Sequence, residues 1–128
     1  MNYERVKYTL AHKLAYLKIE KHLTGRISLT GLLHDMDKLI AFMFTNQSRA
    51  QIKAKHRAKQ AHHHFDNPNL PREVRIEMMI DWECSPLTKP DKPENAYQFL
   101  CKYMPHMKPQ MMPIFEEFGL LNKEALWK

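Results

Sequence analysis

Leu29-Thr30-Gly31-Leu32-Leu33-His34-Asp35-Met36-Asp37-Lys38-Leu39-Ile40-Ala41-Phe42-Met43-Phe44 is the best-patterned stretch of this 128-residue chain. At about 100° per residue, Leu29, Leu32, Leu33, Met36, Leu39, Ile40 and Met43 fall on one side of a helix. His34 and Lys38 then lie one turn apart on the opposite arc, with Asp35 beside them. The spacing predicts a helix over 29–44, with Gly25 ending the helix before it and Ser28 or Thr30 capping its start. An adjacent imidazole and carboxylate can ligate one divalent cation from a single helix. The arc that carries them either faces solvent or lines a pocket.

Upstream, a helix over about residues 2 to 23 is expected to turn Tyr3, Val6, Leu10, Leu14 and Leu17 towards the core. Tyr8, His12, Ala15 and Ile19 form a second stripe on its other side, which points His12 into protein. Downstream, residues 47 to 65 read as a basic helix that ends in Ala61-His62-His63-His64-Phe65 and is broken by Asp66-Asn67-Pro68-Asn69-Leu70-Pro71. Pro71 suits the first turn of a helix over 71–84, where Val74, Met78 and Trp82 form an apolar row and Asp81 falls in the same arc. Residues 85–93 read as a proline-stiffened connector, followed by helices over about 94–104 and 109–119, the last stopped by Gly119. The fold class predicted is all-α: a single helical domain of about five to seven helices, its metal-site helices within 1–84 and its C-terminal helices within 94–128.

Composition narrows the function classes without choosing one. The 20 Lys and Arg against 14 Asp and Glu give a formal charge of +6, which favours anionic partners such as nucleotides, phosphate esters or nucleic acid. No apolar run approaches the roughly 20 residues that cross a bilayer, and the first residues lack the apolar block of a secretory signal, so no membrane and a cytoplasmic location are expected. Cys84 and Cys101 are then expected to be reduced packing thiols. Met104, Met107, Met111 and Met112 are expected to fill the core rather than a dimer contact, and the oligomeric state is left open.

A hydrolytic metal site needs ligands that fix a cation, an open position for water and a positive group for the substrate's phosphate. His12, His34, Asp35 and Asp81 offer two imidazoles and two carboxylates, a set that suits manganese, iron, nickel, cobalt, magnesium or zinc. Asp35 and Lys38 are the candidate catalytic residues, Lys38 neutralising charge that develops on a phosphoryl oxygen. His56 and His63, seven residues apart, share a face of the basic helix and either bind a second cation or, with His62, contact substrate phosphate. His64 lies off that face and is assigned to solvent.

The order His12, His34-Asp35, Asp81 resembles the HD-domain superfamily, whose pattern is a His, a His-Asp pair and a distant Asp on helices around one or two metals. His34-Asp35-Met36-Asp37-Lys38 also resembles the HD-x-x-K form of the subgroup with dinuclear centres, where intermediate histidines, matched here by His56, His62 and His63, serve the second ion. Tyr8-Thr9-Leu10-Ala11-His12-Lys13, that segment, and His62-His63 before Asn67-Pro68 look similar to a small uncharacterised bacterial and phage family of HD-like proteins. The resemblance spans about residues 5 to 84. The Gly-Tyr-Pro motif of cyclic-dinucleotide hydrolases is absent, and the spacing from His56 to His62 is shorter than that subgroup uses. The resemblance implies a metal-dependent phosphohydrolase acting on a small phosphorylated substrate of the nucleotide type; a minority of the superfamily are di-iron oxygenases. A rival from another class is a nucleic-acid-binding module built on residues 49–59, which hold five Lys or Arg and no acid but no aromatic residue to stack bases.

Overall fold

The computed structural model describes residues 3–59, 65, 67–88 and 94–121. The protein is all-α, and no strand occurs among the described residues. Two compact units divide the chain, Met1–His64 and Phe65–Lys128. No described helix is long and apolar enough to cross a membrane.

In the first unit, α1 runs Tyr3–Thr24 and ends at Gly25, whose φ of 81° is the left-handed conformation that lets its N–H return 2.9 Å to the Lys21 carbonyl. Of the stripe expected to be secondary, Ala15 and Ile19 are core and Tyr8 and His12 half-buried, with Tyr16 buried beside them, whereas Tyr3, Leu10 and Leu14 of the expected core row are exposed. Each large side chain fully buried in this way contributes about 1.5–3 kcal/mol. The buried face of α1 also carries Glu20, whose carboxylate accepts the Ser28 N–H at 3.0 Å and the Ser28 hydroxyl at 2.7 Å. The Ser28 hydroxyl in turn accepts the Gly31 N–H at 2.9 Å and so caps the next helix.

The expected 29–44 helix is broken in two, α2 over Leu29–Leu33 and α3 over Met36–Phe44. His34 leaves the helical region with φ −58° and ψ 127°, and Asp35 follows in the left-handed conformation with φ 58°. That conformation is tolerated by Asp better than by most side chains. The break resets the helical phase, so α2 and α3 no longer share one apolar row. Leu39 and Phe42 are buried, while Leu29, Leu32, Leu33, Ile40 and Met43 are exposed. His34 and Asp35, placed on the outer arc by a continuous helix, turn inward instead.

The basic helix α4 spans Arg49–Lys59 and begins at a reciprocal cap, in which the Ser48 hydroxyl accepts the Gln51 N–H and the Gln51 side chain accepts the Ser48 N–H. Its buried face consists of Ile52 and, one turn on, His56. Residues 60–64, with the candidate residues His62 and His63 and also His64, lie outside the described residues.

In the second unit, α5 spans Arg72–Glu83 and starts just after Pro71. Met78, Met79, Ile80 and Trp82 are buried, and the Trp82 ring meets Phe99 at 4.8 Å and the edge of Phe115 at 6.4 Å. The expected connector at 85–93 starts with a helical turn, α6 at Ser85–Thr88, because Pro86 stands where a first-turn proline is compatible with helix. Helix α7 spans Ala96–Tyr103 behind a capping box of Asn95 and Gln98, and the buried Glu83 carboxylate accepts the Ala96 N–H at 2.8 Å. A 3₁₀ turn at Pro105–Met107 leads into α8, Lys108–Glu117, which Gly119 closes with φ 72°. Met107 and Met111 are buried, as expected for packing residues. Cys84 and Cys101 are not joined in a disulfide, and the Cys84 thiol donates to the Ile80 carbonyl at 3.3 Å.

Candidate metal centre

Three elements of the first unit meet around Asp35. From α1 comes His12, stacked on the ring of Tyr8, and from the α2–α3 break come His34 and Asp35. The Nε2 atoms of His12 and His34 stand 3.3 Å apart, and lie 3.5 and 3.6 Å from Asp35 Oδ2. The three side chains are 13%, 0% and 5% exposed, respectively. Two imidazole nitrogens and a carboxylate oxygen, all within 4.8 Å of one another and nearly sealed from water, match the donor chemistry of a divalent cation.

Neighbouring side chains fix this group. Tyr16 stacks on the His34 ring at 4.1 Å with 18° between planes. Lys13 donates to the carbonyl of Leu32, and to that of His34 at 3.3 Å, so one ammonium holds the end of α2 beside the site. Burial lowers the Lys13 pKa, and Asp35 opposes the shift.

From α4, His56 reaches the opposite side of the same carboxylate. Its Nε2 is 3.0 Å from Asp35 Oδ1, and its Nδ1 is 2.8 Å from both Asp37 oxygens. Burial disfavours the imidazolium, yet the hydrogen bonds to Asp35 and Asp37 outweigh it and raise the His56 pKa above the ordinary value. For Asp37 the opposing effect of burial is overcome by the bond to His56, and its pKa is lowered. Asp35, Asp37 and His56 form a second group of potential donors that shares Asp35 with the first. A metal ligand must present a deprotonated nitrogen, so the raised His56 pKa opposes its ligation.

The structure therefore brings together five of the residues singled out from the sequence: His12, His34, Asp35, His56 and Lys38, the last with Nζ 3.9 Å from Asp35 Oδ2. Asp81 belongs to the second unit, half-buried on α5. Sequence reasoning missed Asp37, Lys13 and Tyr16. Two residues apart on a continuous helix, Asp35 and Asp37 would diverge by about 200°; only the left-handed turn at Asp35 lets one imidazole bridge them. Comparison with family models, with curated proteins and with solved structures returned no match.

Beyond Lys38, the charge on this side of the unit is strongly positive. Burial lowers the Lys53 pKa first, and Arg49, Arg5, Lys38 and Arg57 add to the effect, which brings it from 10.5 down to about 8. Folding thus weakens proton binding at Lys53, so its ammonium opposes folding below about pH 8. Between pH 8 and 10.5 the unfolded chain binds more protons, and stability from this group rises with pH. Lys53→Met is accordingly expected to stabilise the protein at pH 7, on the order of 0.5 kcal/mol after solvent screening, with the gain fading as pH approaches 10.5. Urea denaturation across that range checks it; a less stable variant at pH 7 refutes it.

Proposed function

We propose that the protein is a metal-dependent phosphohydrolase acting on a small phosphorylated compound of the nucleotide type. The observation that carries this reading is the convergence of His12, His34 and Asp35 within reach of one cation, with the Lys38 ammonium beside them. A divalent ion held there would supply Lewis acidity and lower the pKa of its water towards about 7.

The chain's own residues have distinct tasks. Asp35 contributes the anionic donor through Oδ2, while the His56 contact to Oδ1 fixes the plane of that carboxylate. Tyr16 closes the back of His34 against water. Lys38 presents a positive charge to phosphoryl oxygens, where charge accumulates as the ester bond breaks. Asp81, which the HD-type pattern implies as a further ligand, is assigned that role on sequence grounds.

Metal analysis of the purified protein, with a phosphatase screen in Mn, Co, Ni and Mg, tests the proposal. His34→Ala is expected to lower metal content and to cut phosphate release by more than about tenfold. Full metal content in His34→Ala would refute it. Bound iron with oxygen-dependent turnover and no phosphate release would point instead to the oxygenase reading, and Asp81→Ala with unchanged metal affinity would remove that residue from the ligand set.

A further inference from the structure

Arg49, Lys53 and Arg57 stand four residues apart along α4 and share one of its faces. Arg5 of α1 lies 4.7 Å from the Tyr8 ring centre and 5.7 Å from that of Phe42, which aims its guanidinium from α1 across the α3 side of the unit. Lys38 of α3 approaches Asp35. Arg5, Lys38, Arg49 and Arg57 all lie close enough to the Lys53 ammonium to repel it. Helix α4 itself contains no acid.

Like charges gathered from three helices oppose folding, and a polyanion bound among them removes that opposition. We propose that Arg5, Lys38, Arg49, Lys53 and Arg57 form the binding site for the polyphosphate chain of a di- or triphosphate ligand, with Lys38 joining this site to the His12–His34–Asp35 group. The substrate class so named rests on the phosphohydrolase reading. A single phosphate ester carries a charge of about −2, too little to neutralise five cations. The three guanidinium groups provide flat forks that each donate to two phosphate oxygens, and the two ammonium groups act as point charges between them. Nucleic acid is the weaker match, because α4 has no aromatic side chain on which a base could stack.

Calorimetric titration of the full chain in excess chelator, with inorganic tripolyphosphate and with orthophosphate, tests the proposal without relying on turnover. One tripolyphosphate per chain is expected to bind at least about tenfold more tightly than orthophosphate. Lys53→Met and Arg57→Met are each expected to weaken tripolyphosphate about tenfold or more, and Lys21→Met, an exposed cation elsewhere on α1, to leave it unchanged. Thermal melts of the same samples confirm that the variants are folded. Equal affinity for the two anions overturns the proposal, as does tripolyphosphate binding that ignores both substitutions. Tighter binding of a single-stranded oligodeoxynucleotide than of tripolyphosphate overturns it in favour of nucleic acid. Tripolyphosphate binding without hydrolysis of any phosphate ester in any metal would leave this site standing and sink the hydrolase reading alone.

Discussion

Under the proposed function, Asp35→Asn is expected to abolish metal binding at the candidate centre and to lower phosphohydrolase kcat/KM by about 10³-fold or more while the fold survives. The substitution isolates charge from backbone. Asp35 has φ 58° and ψ 15°, where Asn is tolerated at least as well as Asp, whereas Ala adds a left-handed penalty of roughly 1–2 kcal/mol. What Asn removes is the anionic donor shared by both groups of candidate ligands. A carbonyl oxygen remains to accept from His56, so the α3–α4 contact keeps a partner. Losing several kcal/mol of Lewis-acid stabilisation, at about 1.36 kcal/mol per factor of ten, leads to the stated loss. Metal content per chain, the thermal midpoint and phosphate release should be measured on the same sample. A variant that keeps its metal and its activity would remove Asp35 from the chemistry and with it the proposed function.

The second large effect concerns the platform under that site. Gly31→Ala is expected to destabilise the protein by about 2 kcal/mol, although alanine in a helix is ordinarily favoured over glycine by about 0.5–1 kcal/mol. A Cβ at position 31 would fall on Glu20 Oε1. That oxygen is at the end of a flexible chain, but the carboxylate is buried and held by two hydrogen bonds from Ser28. Moving it gives up bonds to a charged group worth about 1.5–3 kcal/mol each, which outweighs the helical gain. In a Glu20→Ala background the obstruction is gone, so there Gly31→Ala should stabilise by about 0.5–1 kcal/mol. Chemical denaturation of the four proteins closes this double-mutant cycle. A stabilising Gly31→Ala in the wild-type background would show that Glu20 yields without cost.

The order of helices was legible because capping and termination are local. Gly25, Ser28 and Gly119 act where their residue types indicate, as left-handed stops and as a side-chain oxygen for a free N–H, whereas Pro71 stands just before the first turn, at the N-cap of α5. His12, His34 and Asp35 were legible as types, since a half-apolar helix has little other use for an inward imidazole. Which faces would be buried was not legible. Leu14 and Leu29 have the period of core residues and are exposed, while Ala15, Tyr16 and Ile19 carry the packing of α1. Periodicity reports that a helix has faces; it cannot say which face a neighbour covers.

By itself the sequence determined that the chain is helical, where most of its helices begin and end, and which side chains have the chemistry to hold a cation or an anion. Only the tertiary structure decided that one helix would become two at His34 and Asp35, that Asp37 would share His56 with Asp35, and that Arg5, Lys38 and α4 would crowd their charges around Lys53. The reason is physical. Hydrogen bonds within a helix join residues four apart and leave their mark on the sequence nearby, whereas a single left-handed residue rotates everything after it. The approach of α1, α3 and α4 depends on side chains far apart in the chain, whose meeting no local pattern records.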